Sequence, residues 1–131
     1  MKKTHISLGL AFTLPLLTSN SISALGALGL IGSVAPDWDF KLHIPHRTLT
    51  HCLLLLFLST YLIFQFNIDI AITWFINIFI HLFMDSLTKR GIPLFYPFIK
   101  KRYGLKLFKT GGVFDFMFFL LGIYLIFVQL A

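Results

Sequence analysis

The stretch of sequence that decides the fold is IAITWFINIFIHLFMDSL, residues 70–87. It is nearly long enough to cross a bilayer, because a helix needs about 20 residues to span the hydrocarbon core. Four of its polar side chains recur every four residues: Thr73, Asn77, His81 and Asp85. Thr88, just after the stretch, continues the same face. Steps of four drift by only about 40° on a helix with about 3.6 residues per turn. The pattern predicts a membrane helix with one polar face turned toward protein or water.

The composition of the whole chain supports a membrane protein. Of its 131 residues, 57% are hydrophobic and 12% are charged, whereas soluble domains carry about 25% charged residues. Two further segments are predicted to span, Thr48 to Phe66 and Val113 to Leu130. Near the amino terminus, Ile6 to Leu17 and Ile22 to Ala35 are apolar but short, which is typical of a pair of short spans or a re-entrant hairpin. The sequence therefore predicts an all-α, polytopic membrane protein: three long transmembrane helices plus that amino-terminal pair, in one membrane-embedded domain over residues 1–131.

Basic residues lie only outside these apolar segments. All eleven fall in three stretches: Lys2 and Lys3; Lys41 and Arg47; and Lys89, Arg90, Lys100, Lys101, Arg102, Lys106 and Lys109. Because basic loops stay on the cytoplasmic side, we expect a cytoplasmic amino terminus, an exported carboxyl terminus and a place in a bacterial-type inner membrane. The formal net charge of +6 follows from this topology, so the lipid bilayer is the expected partner and no nucleic acid is predicted. A cleavable signal peptide over Met1 to Ala24 is the competing interpretation. Cleavage would start the mature chain outside with an implausibly short first span from Leu25 to Ala35, and without that span every basic loop would be exported.

Ionisable residues that would share the cytoplasmic face form the candidate site. His81 and Asp85 are one helical turn apart, so both can approach one cation. An ionisable pair at this depth indicates a functional site. For Thr73 and Asn77 we expect interhelical hydrogen bonds instead, which such residues often make in membranes.

The loop after Pro36 supplies a second group of candidate ligands, beginning with Asp37 and Asp39. We expect Thr48 or Thr50 to cap the next helix, which would hold His51 in its first turn. His5 lies just before the first apolar segment on the same predicted side. The predicted metal ligands are therefore His5, Asp37, Asp39, His51, His81 and Asp85.

Because the chain contains no Glu and one cysteine, Cys52, any metal must be held by histidine and aspartate. Zinc is the expected divalent metal, with manganese as the alternative. A metal with an open position activates water, so we predict hydrolysis of an ester or phosphoester-type substrate. The catalytic candidates are Asp39, His46 and Arg47. Arg47 is also the candidate for binding a lipid or other phosphate-containing substrate, and supporting roles are expected for Thr50, Thr88 and Asp115.

Three motifs occur in an order that resembles a known family. Pro36-Asp37-Trp38-Asp39 resembles its Pro-Asp-x-Asp motif, and the run from His46 to His51 resembles its His-Arg-Gly-x-Thr-His motif. The run from His81 to Thr88, followed by a glycine and two prolines, resembles its His-x3-Asp-x2-Thr block. The likeness is to the YdjM-like family of inner-membrane, metal-dependent hydrolases, and it implies a divalent metal and a hydrolytic function. Thr48 stands where that family usually has glycine.

Two non-enzymatic alternatives stay open. One is an ion or proton pathway lined by Thr73, Asn77, His81 and Asp85. A pathway would carry ionisable residues across the bilayer, whereas here they stop at one predicted side. The other is a structural or partner-binding membrane protein in which these side chains stabilise the cytoplasmic end.

Overall fold

The computed structural model describes residues 1–40 and 47–131. These residues form four α-helices: α1 (Lys2–Thr18), α2 (Leu53–Phe64), α3 (Ile68–Leu87) and α4 (Val113–Leu130). Three 3₁₀ helices accompany them: Ala24–Ser33, Ala35–Phe40 and Leu49–His51. The all-α prediction is confirmed for the described residues, and α3 and α4 are long and apolar enough to cross a membrane.

The amino-terminal pair is a helical hairpin that lies along α3. Its second arm, the Ala24–Ser33 helix, has ten residues and a length of about 20 Å at the 3₁₀ rise. At one end the Ser23 hydroxyl donates to Asp69 Oδ2 over 2.5 Å. At the other end the Ser33 carbonyl oxygen lies 2.7 Å from His81 Nδ1. The hairpin therefore returns the chain to the end where α1 begins, as the sequence predicts.

Glycines explain why the second arm is a 3₁₀ helix. Gly26, Gly29 and Gly32 are buried, and a helix with about three residues per turn aligns them in one row. A Cβ on Gly29 would lie 2.0 Å from Thr73 Oγ1. This close approach lets the Thr73 hydroxyl donate to the Gly26 carbonyl over 2.6 Å.

The helix expected from Thr48 to Phe66 is interrupted. A 3₁₀ turn over Leu49–His51 is followed by extended Cys52, with φ −119° and ψ 157°, and α2 then has only 12 residues. The Leu53 N–H donates to the Leu94 carbonyl over 2.9 Å, so a tertiary bond replaces the helical one. The α2 helix is about 18 Å long, so two of the three predicted long helices have the length to span. Thr48 is the N-cap residue of the 3₁₀ turn that contains His51, without a side-chain capping bond, whereas Cys52 occupies the N-cap of α2.

The helices α1 and α4 pack side by side. A Cβ on Gly122 would lie 2.6 Å from Ser7 Oγ, so glycine permits this contact. Asp115 joins the two helices at their amino-terminal ends: it accepts a hydrogen bond from the Gly111 N–H over 2.9 Å and another from the Thr4 hydroxyl. Its carboxylate thus stabilises the amino-terminal end of α4, where an acidic side chain is favourable.

Residues 88–112, which we name the cap loop, fold over the carboxyl end of α3. Ile92 and Tyr103 exchange backbone hydrogen bonds of 2.9 and 2.8 Å. The Leu105 N–H donates to the Ser86 carbonyl over 2.9 Å, and the Leu107 N–H donates to the Leu87 carbonyl over 2.9 Å. The cap loop is therefore tied to the end of α3 that carries His81 and Asp85.

Candidate metal centre

The orientation of His81 is set by a backbone carbonyl. His81 is fully buried, and its Nδ1 lies 2.7 Å from the Ser33 oxygen. Because a carbonyl can only accept, Nδ1 carries the proton and Nε2 carries the lone pair. Metal-binding histidines typically have this arrangement, in which the distal nitrogen donates to a carbonyl or carboxylate.

A similar hydrogen-bond chain orients His51. The Thr50 hydroxyl donates to Asp39 Oδ2 over 3.1 Å, so its oxygen accepts from His51 Nδ1 at 2.9 Å. Asp39 Oδ2 also accepts from the Arg47 backbone N–H over 3.1 Å. The tautomer that follows leaves Nε2 of His51 as the lone-pair nitrogen, and this atom lies 3.4 Å from His81 Nε2.

Two carboxylate oxygens complete a compact group with these nitrogens. Asp85 Oδ2 lies 3.2 Å from His51 Nε2 and 3.8 Å from His81 Nε2. Asp37 Oδ1 lies 3.8 and 3.7 Å from the same two atoms. A tetrahedral zinc ion with bonds of about 2.0–2.1 Å holds its ligand atoms about 3.3 Å apart. The side chains therefore already approach the spacing that a metal ion imposes.

His5 extends the cluster from α1. Its ring stacks on His81 with 3.9 Å between ring centroids, and its Nε2 lies 3.6 Å from Asp85 Oδ1. Within the described part of the chain, the buried Nδ1 of His5 has no hydrogen-bond partner. Together, His5, Asp37 and His81 form a second potential ligand group, which shares His81 with the group of His51, His81 and Asp85.

Arg47 holds the outer oxygen of Asp85. It is 4% exposed, has a φ of 58°, and its guanidinium lies 3.0 Å from Asp85 Oδ1. The same guanidinium donates to Thr88 Oγ1 over 2.8 Å and to the Gly91 carbonyl over 3.4 Å. Thr88 in turn donates to the Asp85 carbonyl over 2.7 Å. Arg47 thus engages Oδ1 of Asp85, while Oδ2 faces the imidazoles of His51 and His81.

The structure brings five of the predicted ligands together: His5, Asp37, His51, His81 and Asp85. Asp39 lies on the Nδ1 side of His51, at 3.7 Å from that atom, where it orients the ring. Asp115 contacts Thr4 and Gly111 at the α1–α4 interface. His46 lies outside the described residues, so its catalytic role stays a prediction.

Ser33 is the site residue that the sequence analysis missed. It contributes a backbone carbonyl, which leaves no trace in side-chain chemistry. The three-residue spacing of Gly26, Gly29 and Gly32 was the available signal, because it predicts a row of close contacts ending next to Ser33.

Thr73 and Asn77 make the interhelical hydrogen bonds expected of them. Thr73 bonds Gly26, as described above, and the Asn77 amide donates to Thr13 Oγ1 over 2.8 Å. Both residues are fully buried. This part of the α3 polar face therefore joins helices.

Comparison with known proteins places this cluster in a family. A family model described as YdjM inner membrane protein matches residues 1–130. No curated protein and no solved structure matches the chain. The matched region includes every residue of the histidine–aspartate cluster. The chain therefore belongs to the YdjM inner membrane protein family, and its buried cluster can hold a metal ion.

Proposed function

We propose that the protein is a membrane-bound, metal-dependent hydrolase that acts on an ester or phosphoester-type substrate at the cytoplasmic face. One observation carries the proposal: Nε2 of His51 and Nε2 of His81 lie 3.4 Å apart, and Asp85 Oδ2 and Asp37 Oδ1 each lie 3.2–3.8 Å from both nitrogens. Both Nδ1 atoms are tied to hydrogen-bond partners, which directs both lone pairs into the group.

The donor set fits a borderline divalent cation. Imidazole nitrogens with carboxylate oxygens suit zinc, and manganese is the alternative. His51, His81, Asp85 and Asp37 would hold the ion, with His5 as a further donor. When bound, a divalent metal acts as a Lewis acid that makes a water molecule reactive near neutral pH.

The surrounding residues keep the ligands in place. Ser33 and the Thr50–Asp39 pair fix the two imidazoles. The Arg47 guanidinium pairs with Asp85 Oδ1 over 3.0 Å. The side chain of Asp37 is 12% exposed, whereas those of His51 and His81 are fully buried. Water and substrate would therefore approach from the Asp37 side.

The predicted topology supports a cytoplasmic, anionic substrate. The cluster lies at the end of α3 to which the cap loop is tied, and this loop carries seven of the eleven basic residues. Basic residues favour the cytoplasmic side and attract phosphate. A topology reporter fused after Ala131 should give an external signal, and a cytoplasmic signal would contradict this orientation.

Metal analysis of the detergent-purified protein tests the site directly. Wild type should retain stoichiometric metal after incubation with zinc or manganese and removal of the excess. His81→Ala and Asp85→Asn should lose it. Asp69→Asn is the matched control, since it changes a half-buried carboxylate at the opposite end of the same helix. A metal-free wild type, or equal loss in all three variants, would overturn the proposal.

Hydrolysis is tested separately with chromogenic phosphodiester and carboxylic ester substrates. Turnover should depend on added metal, survive in Asp69→Asn and disappear in Asp85→Asn. A protein that binds metal but hydrolyses neither substrate class would favour a non-enzymatic role for the cluster. The ion-pathway alternative gains no support from the packing, because Thr73 and Asn77 are engaged in direct contacts between helices.

A further inference from the structure

The cap loop exposes apolar side chains that no described residue covers. Five are large and stand out from the rest of the loop: Phe95 at 48% exposure, Phe98 at 84%, Ile99 at 46%, Leu105 at 68% and Leu107 at 63%. Apolar groups this exposed, close together in one segment, mark an interaction surface.

Basic side chains are interspersed among these apolar side chains. Lys100, Lys101 and Arg102 follow Ile99 directly, and Lys106 separates Leu105 from Leu107; all four are exposed. Between Asp85 and Asp115 the sequence contains no acidic residue. The surface is therefore both apolar and strongly basic, with no carboxylate nearby in the sequence to neutralise it.

The backbone that carries this surface is held in place by contacts with the rest of the protein. Ile92 and Phe108 are buried at 0% and 5% exposure, and the Lys89 backbone N–H donates to the Phe108 carbonyl over 2.8 Å. A Cβ on Gly104 would lie 2.5 Å from the Ser86 carbonyl oxygen, so glycine allows the loop to lie against the end of α3. These contacts leave the apolar tips pointing away from the protein.

The loop also starts and ends at the two helices that can cross a membrane, α3 and α4. A segment between two such helices stays close to the membrane surface. Apolar side chains combined with Lys and Arg are the features that hold a segment at an anionic lipid interface.

We propose that the cap loop docks on the anionic headgroup layer of the leaflet nearest the carboxyl end of α3. The side chains of Phe98, Leu105 and Leu107 enter the boundary between headgroups and acyl chains. The cluster Lys100, Lys101 and Arg102 binds lipid phosphates beside them. This surface is separate from the metal cluster, so the proposal stands whether or not the protein is a hydrolase.

A spin label placed at residue 98 tests the proposal. Phe98→Cys is labelled with a nitroxide in the full-length protein, which is then reconstituted in phosphatidylcholine vesicles with or without phosphatidylglycerol. Cys52 is fully buried, so wild type carried through the same procedure gives the labelling blank. Thr110→Cys is the matched control, because Thr110 is an exposed polar residue of the same loop.

The expected result is a several-fold higher ratio of oxygen to nickel-chelate accessibility at residue 98 than at residue 110. Phosphatidylglycerol should raise the ratio further, and K100Q/K101Q/R102Q should remove that increase. A label at residue 98 as open to the nickel chelate as one at residue 110, in both vesicle types, would overturn the proposal. Spin–spin broadening of the label at residue 98 that disappears when the protein is diluted with lipid would also overturn it, because a second copy of the chain would then cover the loop.

Discussion

Replacing Gly29 with alanine should separate the amino-terminal hairpin from α3. The new Cβ would lie 2.0 Å from Thr73 Oγ1 and 2.6 Å from the Trp74 backbone nitrogen. Carbon atoms need about 3.5 Å, and the backbone nitrogen cannot rotate aside, so the 3₁₀ helix must retreat by about 1–1.5 Å. The Ser33 oxygen would move with it, and its 2.7 Å contact with His81 would stretch beyond hydrogen-bonding distance.

The cost follows from the strain and the lost bonds. Overpacking of this kind costs about 1–3 kcal/mol, and each lost hydrogen bond adds about 0.5–1.5 kcal/mol. For a chain of this size the midpoint of thermal unfolding should fall by roughly 5–15 °C. Zinc affinity should fall about 10–100-fold, because His81 loses the group that orients it.

Tryptophan fluorescence during heating and zinc competition against a chromogenic chelator measure the two effects in detergent. Leu28→Ala is the control, since Leu28 is 52% exposed on the same 3₁₀ helix and should change neither quantity much. If Gly29→Ala matched Leu28→Ala in both assays, the coupling of the glycine row to the site would be refuted.

Three further substitutions test individual contacts. Thr50→Val should weaken metal binding about 10–100-fold because His51 Nδ1 loses its acceptor, while Thr50→Ser should retain affinity; equal chelator competition curves for the two variants would contradict this role. Arg47→Met should destabilise the protein by about 3–5 kcal/mol in denaturant titrations because it leaves the buried Asp85 carboxylate without its partner. Adding Asp85→Asn should recover part of the loss, and strictly additive losses would exclude the coupling. Asn77→Ala should lower stability by about 1–2 kcal/mol with the metal content unchanged, and loss of metal would place Asn77 in the site.

Periodicity was sufficient to predict α3 and α4 and the shared polar face of α3 that carries His81 and Asp85. Four-residue spacing along α3 predicted one polar face, and its members from Thr73 to Asp85 are buried. The short apolar segments before Pro36 predicted a chain that turns back, and the contacts at Asp69 and His81 confirm it. These predictions succeed because they depend on local side-chain patterns.

Local side-chain patterns could not predict the tertiary backbone contacts. The break at Cys52 arises because Leu53 bonds Leu94, more than forty residues away in the sequence. Apolar residues on both sides of the break gave no sign of it. The roles of Asp39 and Asp85 also differ for reasons of geometry, since one carboxylate faces Nδ1 of His51 and the other faces Nε2.

The glycine row of the Ala24–Ser33 helix means that the contact of this arm with α3 depends on a three-residue repeat. Each residue added to or removed from a 3₁₀ helix rotates everything beyond it by about 120°. A single-residue deletion between Gly29 and Ser33 would turn the carbonyl away from the imidazole, even though almost the same amino acids remain. Length changes in this arm should therefore be tolerated best in triplets, and then only if the turn at Ser23 absorbs a shift of about 6 Å.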